Sequence, residues 1–472
     1  MGTSENSQRD PRWSLESRRE PKAMRAAAGG ERRDTVPLEA HADLVVPAER
    51  AGALSILQAQ DANRLQDLVP IRYGRMLATP FTFLRGSAAV MAADLAAGPR
   101  TDLTVQLCGD AHLSNFGMFS SPERRLVFDV NDFDETLPGP FEWDVKRLAA
   151  SVVVAGRNNG FGNKSNRKMA RAATAAYRET IARASKMNPL DVFYYRIDVE
   201  ELAKTLETAK SDRRRLAKTR KKSARKNSLG ALGKLTDVVG GRRVIVSNPP
   251  LIVAMSDEQR REEMTQFEGF FDDYRATLNA DRRQLMDRYS MTDIARKVVG
   301  VGSVGTRCLI ALLESGDGDP LFLQIKEAAP SVLEEHLAPS AFDQEGHRVV
   351  DGQRKIQATP DALVGWARYQ RGDEPGTDFY VRQLWDGKAS ADVETMTADV
   401  LRRYAMACGA ALGRAHARSG DASMISGYVG DDDTFDRAVA RFAEAYADRT
   451  EQDYDELIGA VDDGRVPIVR DL

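Results

Sequence analysis

At 472 residues, with 42% hydrophobic and 29% charged residues, the chain has ordinary globular composition and enough length for two or three packed units. A formal net charge of −3 gives no overall basis for binding nucleic acid or an anionic membrane surface. Three scattered cysteines (Cys108, Cys308, Cys408) make no disulfide frame, and five histidines are few for a histidine-based metal enzyme.

In chain order, residues 1–36 are polar, rich in Arg, Glu, Ser and Gly and broken by prolines, which predicts a disordered tail. No apolar core follows the first methionine and no run approaches the about 18 apolar residues of a membrane span, so the cytoplasm is the expected location. Residues 37–290 read as a mainly helical lobe. Leu54, Leu57, Leu65 and Leu68 recur near one helical face, and Phe81 to Leu95 reads as one helix. Leu103, Val105 and Leu107 alternate as in a half-buried strand, and Leu126, Phe128 and Val130 repeat the pattern before Asp132. T-L-P-G-P then reads as a rigid turn, followed by a helix with Phe141, Val145, Leu148, Ala149 and Val152 on its apolar face. Residues 160–290 look mostly helical, and Arg213–Lys226 is strongly basic, which suits a solvated face or an anion-binding patch.

From residue 291 to 390 the texture is β-rich. A strand pair encloses G-V-G-S-V-G, L-F-L-Q-I-K-E-A forms a third strand, and Ser331 is placed to cap a helix S-V-L-E-E-H-L. Two more strands are expected at 362–369 and 379–384. Residues 391–472 return to helices that pack on the helical lobe. No internal repeat is present.

The chemistry gathers between Cys108 and Glu135, in C-G-D-A-H-L-S-N and N-D-F-D-E. Phosphoryl transfer asks a protein for charge neutralisation and alignment. Mg²⁺ takes oxygen ligands, usually one or two carboxylates plus the nucleotide's phosphates. A further carboxylate must accept the acceptor's proton. Asp110, Asn115, Asp132 and Asp134 supply those groups at the ends of a strand–loop–strand unit, which reads as a magnesium–phosphate site. His112, without a partner histidine, is expected to brace the loop. Downstream, Gly300, Gly302 and Gly305 allow backbone amides to approach phosphates.

G-D-A-H-L-S-N resembles the catalytic loop of aminoglycoside phosphotransferases and other kinase-like enzymes, and N-D-F-D-E resembles their metal motif. The resemblance implies Asp110 as catalytic base, with Asn115 and Asp132 holding metal and Asp134 beside them. Asp144, in W-D-V-K-R-L-A, matches the aspartate that braces the loop. Cys108 stands where those enzymes often have His. F-L-Q-I-K-E-A resembles the lysine strand of kinases, so Lys326 would reach the α- and β-phosphates. Glu334, Glu335 and Glu345 are candidates to hold that lysine, and Glu335 is taken into the expected site. His416 and Asp421, in R-A-H-A-R-S-G-D, stand as secondary candidates at the cleft. The whole layout from about residue 45 is similar to the bacterial family called domain of unknown function 2252.

The implied fold is α+β, a protein-kinase-like pair of lobes in circularly permuted order: a small antiparallel β-sheet lobe and a large, mainly helical lobe. The implied activity is an ATP- and Mg-dependent phosphotransferase acting on a small polar molecule, with nucleotidyl transfer from the same site as a close variant. The alternative is a non-catalytic kinase-like nucleotide-binding module. A metal-dependent phosphoesterase, suggested by G-D-A-H, lacks the further histidine motifs of that class. Arg72, Arg75, Arg85 and the basic segment point to an anionic acceptor.

Overall fold

The computed structural model describes residues 20–200, 228–370, 376–384 and 389–470. Helices α1 (Lys22–Glu31), α2 (Ala53–Asp61), α3 (Val69–Met76), α4 (Pro80–Gly86) and α5 (Ala88–Ala96) precede strands β1 (Thr104–Leu107), β2 (Phe116–Ser120), β3 (Leu126–Val130) and β4 (Leu137–Pro140). Helices α6 (Glu142–Asn158), α7 (Asn163–Lys186) and α8 (Pro189–Tyr194) follow. The next described elements are α9 (Ser228–Leu235), β5 (Thr236–Val239), β6 (Arg242–Ile245), β7 (Ile252–Ala254), α10 (Asp257–Ala276) and α11 (Ala280–Met286). Then come β8 (Tyr289–Lys297), β9 (Cys308–Ser315), β10 (Pro320–Glu327), α12 (Glu345–Ile356), β11 (Gly365–Tyr369), β12 (Thr377–Gln383) and β13 (Ala389–Ser390). Helices α13 (Ala398–Ser419), α14 (Ala422–Val429) and α15 (Thr434–Asp462) complete the described chain.

The helical part is organised around α6, in which every residue from Glu142 to Gly156 is buried. An amphipathic reading of this segment understates it, because a helix covered all round has no solvent face. Its charged residues are placed by partners. Glu142 accepts from Thr101 N–H at 2.7 Å and from the Thr101 hydroxyl at 2.8 Å, and the Lys146 ammonium lies 4.5 Å from the Phe442 ring. The surrounding core draws on α7, α13 and α15, with Tyr177, Leu412 and Phe442 among its buried members.

The β-rich part is one six-stranded antiparallel sheet in the order β11-β12-β10-β9-β8-β7. Side chains alternate across it as strand geometry requires. Ala311, Leu313, Leu323, Ile325 and Val381 pack on Phe267, Phe270 and Tyr274 of α10. On the opposite face Ile310, Leu312 and Phe322 meet Ala231, Leu235 and Ile245 of α9 and β6.

Several expectations change. The tail expected to be disordered contains α1. Arg25 pairs with Asp421 at 2.5 Å, Arg33 donates at 2.7 Å to the carbonyls of Gly427 and Tyr428, and Gly29 lies where a Cβ would stand 2.0 Å from Met424 O. Polar composition underestimates such a helix because its order comes from glycine contact and charge pairing. The expected helix Phe81–Leu95 is two, broken at Ser87. L-P-G-P of the expected turn T-L-P-G-P is strand β4, paired with β1. Residues 228–290 include β5, β6 and β7, and α9 and α10 cover the sheet, so these residues belong with the β-rich part. Residues 332–337 are turns and a bend rather than a helix, because the Ser331 hydroxyl accepts Leu333 N–H in a local turn and Glu334 folds back onto Ser331 N–H. The basic run Arg213–Lys226 lies outside the described residues.

Candidate nucleotide and metal site

The loop after β1 is fixed from behind. Asp144, on the first turn of α6, accepts the N–H groups of Cys108 at 2.8 Å and Gly109 at 3.1 Å. His416 of α13 reaches the same carboxylate at 3.2 Å, and its other nitrogen meets the Tyr177 hydroxyl at 3.0 Å. Gly109 has φ +83°, and a Cβ there would stand 2.1 Å from Glu135 O, so only glycine lets the two motifs lie this close.

This bracing aims Asp110 into a cleft of about 800 Å³. Arg147, one helical step beyond Asp144, grips Asp110 Oδ1 with Nη2 at 2.7 Å and Nε at 2.9 Å. Asp110 Oδ2 is left facing His112 Nε2 and Asn115 Nδ2, each at 3.4 Å. Burial pushes the His112 pKa down to about 3, so the ring is neutral. Its Nδ1 accepts Ser114 N–H at 3.2 Å, which assigns the proton to Nε2, on the side of Asp110. These contacts tie His112 to both Ser114 and Asp110.

Asn115 Nδ2 donates to Asp110 O at 2.8 Å, and Asn131 N–H donates to Asn115 O at 2.8 Å, tying the loop to the segment after β3 that carries Asp132. Asp134 is held by three side chains. It accepts from the Tyr380 hydroxyl at 2.8 Å and the Ser303 hydroxyl at 3.2 Å, and it forms a close ion pair with Lys326. Lys326 Nζ is also 3.8 Å from Asp132 Oδ1. Burial works against the lysine's charge, but Asp132 and Asp134 outweigh it and push its pKa up, so it stays an ammonium.

Two motifs about 190 residues apart in the chain thus meet at one point. Asp110, His112, Asn115, Asp132, Asp134, Gly300 and Gly302 line the cleft, and Lys326 stands at its Asp132 end. Gly300 and Gly305 have φ +69° and +96°, and the Gly305 carbonyl accepts Leu65 N–H at 2.8 Å, which pins the glycine loop onto the residues after α2.

Other expected roles change. Lys326 pairs with the two aspartates, whereas Glu335 lines the cleft rim, Glu334 accepts backbone N–H groups of Ser331 and Ser340, and Glu345 pairs with Arg348 at 2.5 Å. Glu334 and Glu335 lie in the turns at 332–337, and Glu345 begins α12. Asp421 caps α14 through Ser423 and Met424 N–H and has no place in the cleft. Of the three arginines, Arg72 is buried in a pair with Asp61 at 2.6 Å, Arg75 donates to Gly300 O at 2.6 Å, and Arg85 lines the cleft.

Among the described residues no three His, Cys, Asp or Glu side chains form a ready metal cluster. The donor set suits Mg²⁺ all the same, because that ion is commonly completed by substrate phosphates. Asp132 and Asp134 supply carboxylate oxygens, and Asn115 Oδ1 accepts no hydrogen bond among the described residues while its Nδ2 is fixed.

The family model for uncharacterized proteins conserved in bacteria, domain of unknown function 2252 (DUF2252), matches residues 64–460. The chain belongs to that family. No curated protein and no solved structure matches it. The stretch matched to DUF2252 holds every acid of the cleft, the glycine loop and Lys326.

Three site residues go unread in the sequence. Arg147 carries a signal, since it lies three residues after Asp144 and so on the same helical face. Tyr380 is directly opposite Lys326 in the β10–β12 register, a pairing that the chain order alone does not specify. Ser303 lies within the glycine run but is singled out only by its contact with Asp134.

Proposed function

We propose that the chain is an ATP- and Mg²⁺-dependent phosphotransferase with a small polar acceptor. One observation carries the reading: Lys326 meets Asp132 and Asp134 in the cleft that also holds Asp110 and Asn115. In this reading Lys326 binds the α- and β-phosphates, and the glycine loop covers them with backbone N–H groups. Asp132, Asp134 and Asn115 would hold Mg²⁺, which neutralises charge on the phosphates. Asp110 Oδ2, the oxygen not gripped by Arg147, accepts the acceptor hydroxyl's proton. Arg147 and His112 fix the orientation of that carboxylate, and Tyr380 and Ser303 hold Asp134.

The direct test is calorimetric titration of ATP with and without Mg²⁺ on the wild type and Asp132→Ala. Mg²⁺-dependent binding is expected in the wild type, with a loss of tenfold or more in the variant. Unchanged Mg²⁺-dependent binding in Asp132→Ala sinks the site assignment. A second reading, a nucleotide-binding module without turnover, is favoured by the grip of Arg147 on Asp110, which already occupies one oxygen of the carboxylate expected to act as base. Retained Mg·ATP binding with no turnover over a broad panel of hydroxyl acceptors would select it.

A further inference from the structure

Arg85 differs from every other arginine near the cleft. Arg64 donates to Val304 O at 2.6 Å, Arg75 to Gly300 O, and Arg147 to Asp110 and to Leu84 O. Arg85 has no hydrogen bond and no ion pair among the described residues, and its Nε is buried without an acceptor. A guanidinium whose buried Nε has no acceptor is held at a cost that an anion in the cleft would relieve.

Its position is specific. Arg85 lies in the last turn of α4 immediately after Leu84, whose carbonyl takes the Arg147 guanidinium at 2.6 Å. It lines the same cleft as Asp110 and His112, and its charge acts on both. Its backbone carbonyl also adjoins Gly302, where a Cβ would stand 3.2 Å away, so the residue sits between the acidic floor and the glycine loop. The same cleft is also lined by Ser55, Gln60 and Asn63, polar side chains able to meet hydroxyl groups.

We propose that Arg85 is the receptor for an anionic group on the acceptor, so that the acceptor class is a small hydroxylated molecule bearing a phosphate or a carboxylate beside the reacting hydroxyl. This deepens the phosphotransferase reading and rests on it for the placing of the hydroxyl at Asp110. The planar guanidinium fork matches either anion bidentately. Lys326 pairs with Asp132 and Asp134, so in that reading the nucleotide's charge has its own receptors. Burial lowers the pKa of Arg85 while Glu394 and Asp110 oppose that shift, and the group still enters the site as a cation.

The test uses the full chain saturated with Mg·ADP, titrated with inorganic phosphate and separately with glycolate, in the wild type, Arg85→Met and Arg85→Lys. At least one anion is expected to bind the wild type, with affinity reduced about tenfold or more in Arg85→Met and partly restored in Arg85→Lys. Affinity for Mg·ADP and Mg·ATP is expected to stay within twofold, and the melting temperature of Arg85→Met to equal or exceed that of the wild type, because no protein partner is lost. Absence of binding by both anions overturns the proposal, as does unchanged anion affinity in Arg85→Met. Weakened Mg·ATP binding in that variant would assign Arg85 to the nucleotide, and a lowered melting temperature would make it structural; either result also overturns the proposal. Repeating the phosphate titration without nucleotide separates the two readings. If the wild type fails to bind Mg·ADP the phosphotransferase reading falls, while Arg85-dependent phosphate binding would show that the anion site stands without it.

Discussion

The two sides of the cleft are held by different physics. The loop from Cys108 to Asn115 is tied through buried side chains of the helical core, with Asp144, Arg147 and His416 all behind it. The glycine loop from Gly300 to Gly305 is a connection between β8 and β9, located by strand register and by a few contacts to Arg64, Leu65, Arg75 and Asp134. The first arrangement fixes a carboxylate in orientation and leaves little freedom. The second leaves a loop whose backbone groups are available to a ligand, as phosphate recognition needs. A rigid acid opposite an adjustable roof is what alignment of a bound phosphate chain asks for.

Substitutions on the rigid side should therefore cost more than substitutions on the roof. Asp144→Ala strands two backbone N–H groups and the His416 ring in the core, and a loss of about 3–5 kcal/mol is expected from the urea midpoint. A loss below about 1 kcal/mol would mean that the loop is held by something else.

Acid should act on the helical side next. His41 is fully buried, its Nε2 2.7 Å from the Tyr428 hydroxyl, and burial with Lys146 nearby lowers its pKa from 6.5 to about 3. Between those values the unfolded chain takes up a proton that the folded chain refuses, so stability falls as pH drops through the window and this contribution levels off below about 3. Thermal melts from pH 7 to 3 should show a shallower slope in His41→Gln than in the wild type, over a total of a few kcal/mol, and identical slopes would refute the assignment.

Gly109→Ala meets both a left-handed backbone angle and the Glu135 carbonyl, and a destabilisation of about 1–3 kcal/mol is expected with weakened Mg·ATP binding. Full stability with full binding would show that the two motifs need not approach so closely. Tyr380→Phe, on the sheet side, removes one hydroxyl contact to Asp134 and should cost about 1 kcal/mol, read by the same urea titration. If it costs more than Asp144→Ala, the contrast between the two sides is reversed.

What could be read in the chain follows the same division. Asp110, Asn115 and Asp132 are legible because one short strand–loop–strand unit delivers them together, and Lys326 is legible because its strand has a marked pattern. The partner of Lys326 is not, since it is chosen by how the sheet docks on the helical core; nearness in sequence favours Glu335, and docking supplies Asp132 and Asp134 instead. Strands β5, β6 and β7 escape notice because they are short and lie among helices, where a few alternating residues give no firm period. Arg85 is visible in the sequence as one arginine of three, and only the partners of Arg72 and Arg75 single it out.

Helix α1 bears on how the protein is handled. Family membership is recognised over residues 64–460, yet α1 docks on α14 through Gly29 and Gly427, and Ser55, Ile56 and Gln60 of α2 form part of the cleft wall. A polypeptide trimmed to the recognisable stretch would lose that wall, uncover the face of α14 and leave Asp421 without Arg25. The unit of recognition and the unit of folding are different lengths of chain, and expression should follow the second.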